Sequence, residues 1–191
     1  MSETNLSICQ SACTLAGLRP ITSFVDTTDE AVMLAATYDQ LKNEALAHHP
    51  WRFAMKEWAL VASVDVPLNP RWTRSYELPA AVLRVTGVFV NGDPIEYDRM
   101  DNNIYADTNI DDTVIMEGIY SAGEAGWPPY FVTYVVLLVA SMLALGVTAQ
   151  PEIAAELTSR ADKQRFVAKH ADSAAQTTRR VRVGRLVGVR A

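Results

Sequence analysis

Residues 27–61, TTDEAVMLAATYDQLKNEALAHHPWRFAMKEWALV, contain the change of hydrophobic period that decides the fold. Thr27 with Glu30 three positions later has the form of a capping box, and Asp29 and Glu30 place negative charge in a first helical turn. Apolar positions recur at Val32, Ala35, Tyr38, Leu41 and Ala45/Leu46, which predicts a helix reaching His49. Pro50 ends it, because the residue before a proline is pushed out of helical geometry. Beyond Pro50 the period drops to two. Trp51, Phe53 and Met55 alternate with Arg52, Ala54 and Lys56, as in a half-buried strand, with a slip at Glu57-Trp58 before Val61.

Upstream, Leu6–Ala16 carries apolar residues at helical spacing, Gly17 stands where a left-handed cap belongs, and Pro20 forbids continuation. Downstream come Tyr76-Glu77-Leu78-Pro79, an apolar run Val82–Val90, and Asn91-Gly92, a strong hairpin signal because both residues tolerate positive φ. Short strands are expected around Ile95–Tyr97, Ile104–Tyr105 and Val114–Glu117, with turns at Asp101-Asn102-Asn103 and Asp111-Asp112. Helical signals return after Gly126-Trp127-Pro128-Pro129, and Pro151 suits the first turn of a last helix through Ile153, Leu157, Ala161 and Ala168.

The expected fold is therefore α+β: a bundle of about four helices with an inserted small antiparallel β unit and an extended basic C-terminal arm. The boundaries are residues 1–50 and 127–171 for the bundle, 51–126 for the β insertion and 172–191 for the arm. Trp51, Phe53, Tyr76 and Leu78 are expected to be structural anchors that fasten the insertion to the bundle.

With 191 residues, 49% apolar and 20% charged, the composition excludes a disordered or collagen-like chain. Two cysteines cannot build a disulfide framework, and MSETNLSICQ lacks the features of a signal peptide, so a soluble intracellular protein is expected. Cys9, Cys13, His48 and His49 lack the spacing of a zinc site. The carboxylates Asp93, Glu96, Asp98, Asp101, Asp107, Asp111 and Asp112 crowd turns without an EF-hand pattern. No phosphate loop and no nucleophile with a base appears, so neither an enzyme nor a cofactor is expected. Tyr130–Ala149 is uncharged and long enough to span a bilayer, yet Thr133, Ser141 and Thr148 dilute it and no basic cluster flanks it. A buried bundle helix is the reading favoured over a membrane span.

Charge is unevenly distributed. Residues 1–150 hold eighteen acids and eight bases, whereas residues 151–191 hold four acids and nine bases. The last thirteen, RRVRVGRLVGVRA, contain five arginines and no acid. Arg179, Arg180, Arg182 and Arg185 are candidate polar anchors, interleaved with Val181, Val183, Leu186 and Val187. Such alternation suits an arm that adds to a protein partner as a strand, in preference to a solvated tail.

The ordered series Cys13-Thr14-Leu15-Ala16-Gly17-Leu18-Arg19-Pro20-Ile21, Tyr38-Asp39, His49-Pro50-Trp51-Arg52-Phe53-Ala54, Tyr76-Glu77-Leu78-Pro79, Leu83-Arg84-Val85, Asn91-Gly92, Ile95-Glu96-Tyr97 and Trp127-Pro128-Pro129-Tyr130-Phe131 resembles the phage head–tail connector (adaptor, or gatekeeper) proteins of the tail tubular protein A type. The resemblance extends to about Lys169 and does not include the arginine arm. It implies a virion protein, made in the host cytoplasm, that assembles as a twelve-fold ring beneath the portal protein. Such a ring prolongs the channel for double-stranded DNA and seats the tail nozzle or tail tube, without a membrane. The alternative class is a nucleic-acid-binding module acting through its arginine-rich C-terminal tail, whose affinity would fall steeply with salt.

Overall fold

The computed structural model describes residues 3–64 and 67–175. Helix α1 (Asn5–Leu15) starts with a true capping box: Ser7 N–H donates to Thr4 Oγ1, and Thr4 N–H donates to Ser7 Oγ. It ends as the glycine requires. Gly17 adopts φ 75°, letting Leu18 N–H reach the Cys13 carbonyl at 2.8 Å and Gly17 N–H reach that of Thr14 at 3.2 Å. Helix α2 (Asp29–Ala47) is capped by Thr28 instead of Thr27, and without a side-chain hydrogen bond. The capping box expected at Thr27 and Glu30 does not form; the acids of the first turn still face the positive helix end.

The alternation Trp51–Met55 is not a strand. The backbone makes a 3₁₀ turn over Arg52–Ala54, and strand β1 begins only at Met55, running to Leu60. Trp51 turns back to close α2, its indole N–H donating to the Ala45 carbonyl at 3.0 Å. One helix-end carbonyl thereby gains a partner, and this contact overrides the period-two pattern.

The β region is the main departure from the expected fold. Instead of one small unit, β2 (Arg74–Glu77), β3 (Val82–Val90), β4 (Asp93–Pro94), β5 (Tyr97–Met100), β6 (Asn103–Ala106) and β7 (Val114–Tyr120) join β1 in two antiparallel sheets. A four-stranded sheet has the order β1-β7-β3-β4, and a three-stranded sheet the order β2-β6-β5. Both hairpin turns use left-handed residues, Asn91 and Gly92 (φ 53° and 87°) and Asp101 and Asn102 (φ 47° and 59°). The sheets enclose a core of their own: Tyr76, Leu78, Val82, Val88, Ile104, Ala106, Val114 and Met116. Gly118 on β7 is required by close approach, since a Cβ there would lie 2.7 Å from the Arg84 carbonyl oxygen. The arm, the other part of the expected fold, lies outside the described residues beyond its first four, 172–175.

Helices α3 (Pro129–Gly146) and α4 (Pro151–Ala174) complete the bundle. Among the described residues α3 is the one helix long and apolar enough to cross a membrane, and half of it is buried within this chain. It packs against α1, α2 and α4, enclosing Phe131, Val135, Val139, Ala140, Leu143 and Ala144. Helix α4 runs past residue 171, so Asp172 is helical and does not belong to an extended arm.

Candidate functional site

The bundle, the 3₁₀ turn and the end of α4 meet at one buried carboxylate. Asp172 is 2% exposed. It accepts the Arg52 backbone N–H at 3.2 and 3.1 Å on its two oxygens, and Tyr130 Oη–H at 2.9 Å. His49 Nε2 stands 3.9 Å away. Three segments distant in sequence (the end of α2 with its turn, the start of α3 and the end of α4) are tied by this one side chain. Burial, with the Asp172 hydrogen bond second, pushes the Tyr130 hydroxyl up to about 12, so it stays a donor. Burial foremost, then the Lys169 charge, lowers His49 from its ordinary value despite the Asp172 carboxylate.

Two consequences are measurable. Asp172→Asn should cost about 1.5–3 kcal/mol in urea unfolding, because a charged acceptor is lost and an amide N–H₂ meets a backbone N–H. For His49 the folded pKa lies below that of the unfolded chain, so folding favours the neutral ring. That contribution is complete above the unfolded value and should be lost as pH falls from it towards the folded value. Asp172 was legible in principle: it is the last acid of the chain and lies on the helix face of Leu157, Ala161 and Ala168, all buried.

Trp51 is fully buried and packs edge-on against His49 (centroids 4.8 Å apart) and Phe131 (5.0 Å); Phe53 lies 4.9 Å from Phe131. These two expected anchors sit together where β1 leaves the bundle. Tyr76 and Leu78 are placed elsewhere, in the core between the sheets, where Tyr76 Oη pairs with Thr108 Oγ1 at 2.7 Å. They belong to that second core and not to the core of the bundle, because β2 pairs with β6 in the three-stranded sheet. Arg179, Arg180, Val181, Arg182, Val183, Arg185, Leu186 and Val187 lie outside the described residues.

A second, half-buried network joins Tyr38, Lys42 and Glu124. Tyr38 Oη–H and Lys42 Nζ donate to Glu124 at 3.2 and 3.4 Å, and Lys42 also pairs with Asp39 at 3.0 Å. Cys9 is beside it, its thiol pushed up to about 12 by burial first and then by Cys13 and Glu124. It is a packed apolar group, and a thiol held there is a poor nucleophile. No group of His, Cys, Asp and Glu that could hold a metal occurs among the described residues.

No known family model and no curated protein matches this chain. Asp93, Glu96, Asp98, Asp101, Asp107 and Asp111 are all exposed on the strands and turns of the sheets. The β region thus presents an acidic surface.

Proposed function

We propose that this chain is a structural head-to-tail adaptor of a bacteriophage, forming a ring beneath the portal that extends the DNA channel and seats the tail. The observation that carries the reading is the charge partition: an acidic folded body, and a segment with five arginines that follows a helix end pinned by Asp172. An acidic wall discourages DNA from sticking as it passes. Guanidinium groups at Arg179, Arg180, Arg182 and Arg185 suit bidentate bonds to carboxylates on the portal protein. Ring neighbours would cover apolar side chains that the bundle leaves open, such as Phe166 (64% exposed) and Val167 (58%) on α4. The role is one of binding and assembly at the head–tail junction of the virion, with the tail nozzle or tube protein as the second partner. It involves no catalytic step and no cofactor.

The test is deletion of 179–191 followed by co-sedimentation with portal-bearing capsids at low and moderate salt. The truncated chain should stay folded and no longer sediment with the capsids. Undiminished binding would refute the docking role of the arm. Intact portal binding with lost affinity for double-stranded DNA would favour the nucleic-acid-binding alternative, which the same arginines support.

A further inference from the structure

One face of the four-stranded sheet closes the core between the sheets, through Trp58, Val88, Val114 and Met116. On the other face Met55 and Ile119, paired in register, pack against the bundle. Two further rows lie beyond them on that face, because side chains alternate along each strand. Ala59, Ile115, Phe89 and Pro94 stand opposite one another and make an apolar row across all four strands. Phe89 and Ile115 are half-buried and belong to neither core. The Phe89 ring lies over Gly87, where a Cβ would meet it at 2.9 Å. The row nearer the bundle is acidic, with Glu57 directly opposite Glu117. Like charges so placed disfavour a sheet, and neither makes an ion pair among the described residues. Arg52 and Lys56 border the same hollow, but Lys56 Nζ lies 5.7 Å from the centre of the Trp58 ring.

A surface of the opposite kind lies on α4. Residues 163–170, KQRFVAKH, hold three Lys/Arg and no acid. Phe166 and Val167 are exposed, and the Arg165 guanidinium stands 5.5 Å from the centre of the Phe166 ring. Lys163 precedes them by three and four residues and so shares their side of the helix. We infer that the α4 patch of one copy docks on the open sheet face of the next, Phe166 and Val167 on the Ile115–Phe89 row and Lys163 between Glu57 and Glu117. The second copy is the occupant because the two surfaces match in both respects, apolar against apolar and cation against acid. Their spacings agree as well. Helix neighbours three or four residues apart are separated by about 5–6 Å, and rows two residues apart along a strand by about 6.7 Å. The two surfaces differ, so the contact is head-to-tail, the kind that closes into rings. This contact rests on the ring proposed above, to which it assigns the subunit interface.

The experiment follows the full chain by sedimentation velocity over rising concentration at low salt. Glu117→Lys removes the negative charge of the row and gives Glu57 a partner within the sheet, so the fold is kept. Phe166→Glu places an acid on the exposed side of α4. Glu57→Lys and Val167→Glu serve as second variants of the two surfaces, and thermal melts show which chains are folded. The unaltered chain should form species larger than a dimer, and each variant alone should associate at least about tenfold more weakly. Mixed in equal amounts, Glu117→Lys and Phe166→Glu chains should give a heterodimer and nothing larger. Only the α4 patch of the first and the sheet face of the second remain intact. Variants that associate as the unaltered chain does would overturn the inference and leave a ring built through another surface. No recovery in the mixture, or an unaltered chain that stays monomeric, would overturn it too. The adaptor reading is decided separately, by co-sedimentation with capsids.

Discussion

A chain carrying Val139→Asp should not reach the folded state. Val139 has no exposed surface and lies in the middle of α3, which packs against α1, α2 and α4. An isolated carboxylate at that place has no cation or donor to meet it, and several kcal/mol are lost whether it stays charged or takes up a proton. That is a large part of the roughly 5–15 kcal/mol that holds a domain together. The expected result is insoluble protein, or a soluble chain without a cooperative thermal transition. Leu145→Asp, six residues further along the same helix, should be tolerated, since Leu145 is 61% exposed. The contrast separates burial from loss of apolar character as such, and a folded Val139→Asp chain would remove α3 from the core.

Trp51→Ala should give the largest loss among the aromatic truncations, about 3–5 kcal/mol. The indole fills the space between the end of α2 and the start of α3, touching His49, Phe53 and Phe131, and its N–H occupies the Ala45 carbonyl. Alanine leaves a cavity and an unpaired helix-end acceptor together. For a chain of this length the melting temperature should fall by roughly 8–15 °C. Trp51→Phe should recover the packing and not the hydrogen bond, and so fall between. Tyr76→Ala, in the separate core between the sheets, should loosen β2 and β6 while the aromatic cluster around Phe131 keeps its near-ultraviolet signal. Equal disruption at both places by either truncation would contradict two distinct cores.

The candidate site was legible only in part. Trp51 and Phe53 stand out because aromatic residues straddling a helix end and a change of period are read as packing at a junction. Tyr76 and Leu78 carry the same sequence signal yet belong to another core, since the choice of β6 as partner for β2 is made across some thirty residues. Asp172 escaped because a basic background made its neighbourhood look like the start of an arm. Its helical phase with Ala161 and Ala168 was the contrary indication.

By itself the sequence determined the places where the chain must stop or turn. Gly17 ends α1, Pro50 limits α2, Pro151 starts α4, and Asn91-Gly92 reverses the chain, because each acts through φ or a missing N–H within a few residues. It also determined the partition of charge between body and C-terminal segment. The tertiary structure alone decided that β1 pairs with β7, that the strands divide into two sheets, and that Trp51 closes a helix instead of opening a strand. It alone decided which residues of the uncharged α3 face inward, since a helix without a charged side carries little signal of its orientation. Strand partners and buried faces are set by non-local contacts, whose energy depends on which surfaces meet and has no local trace in the order of residues.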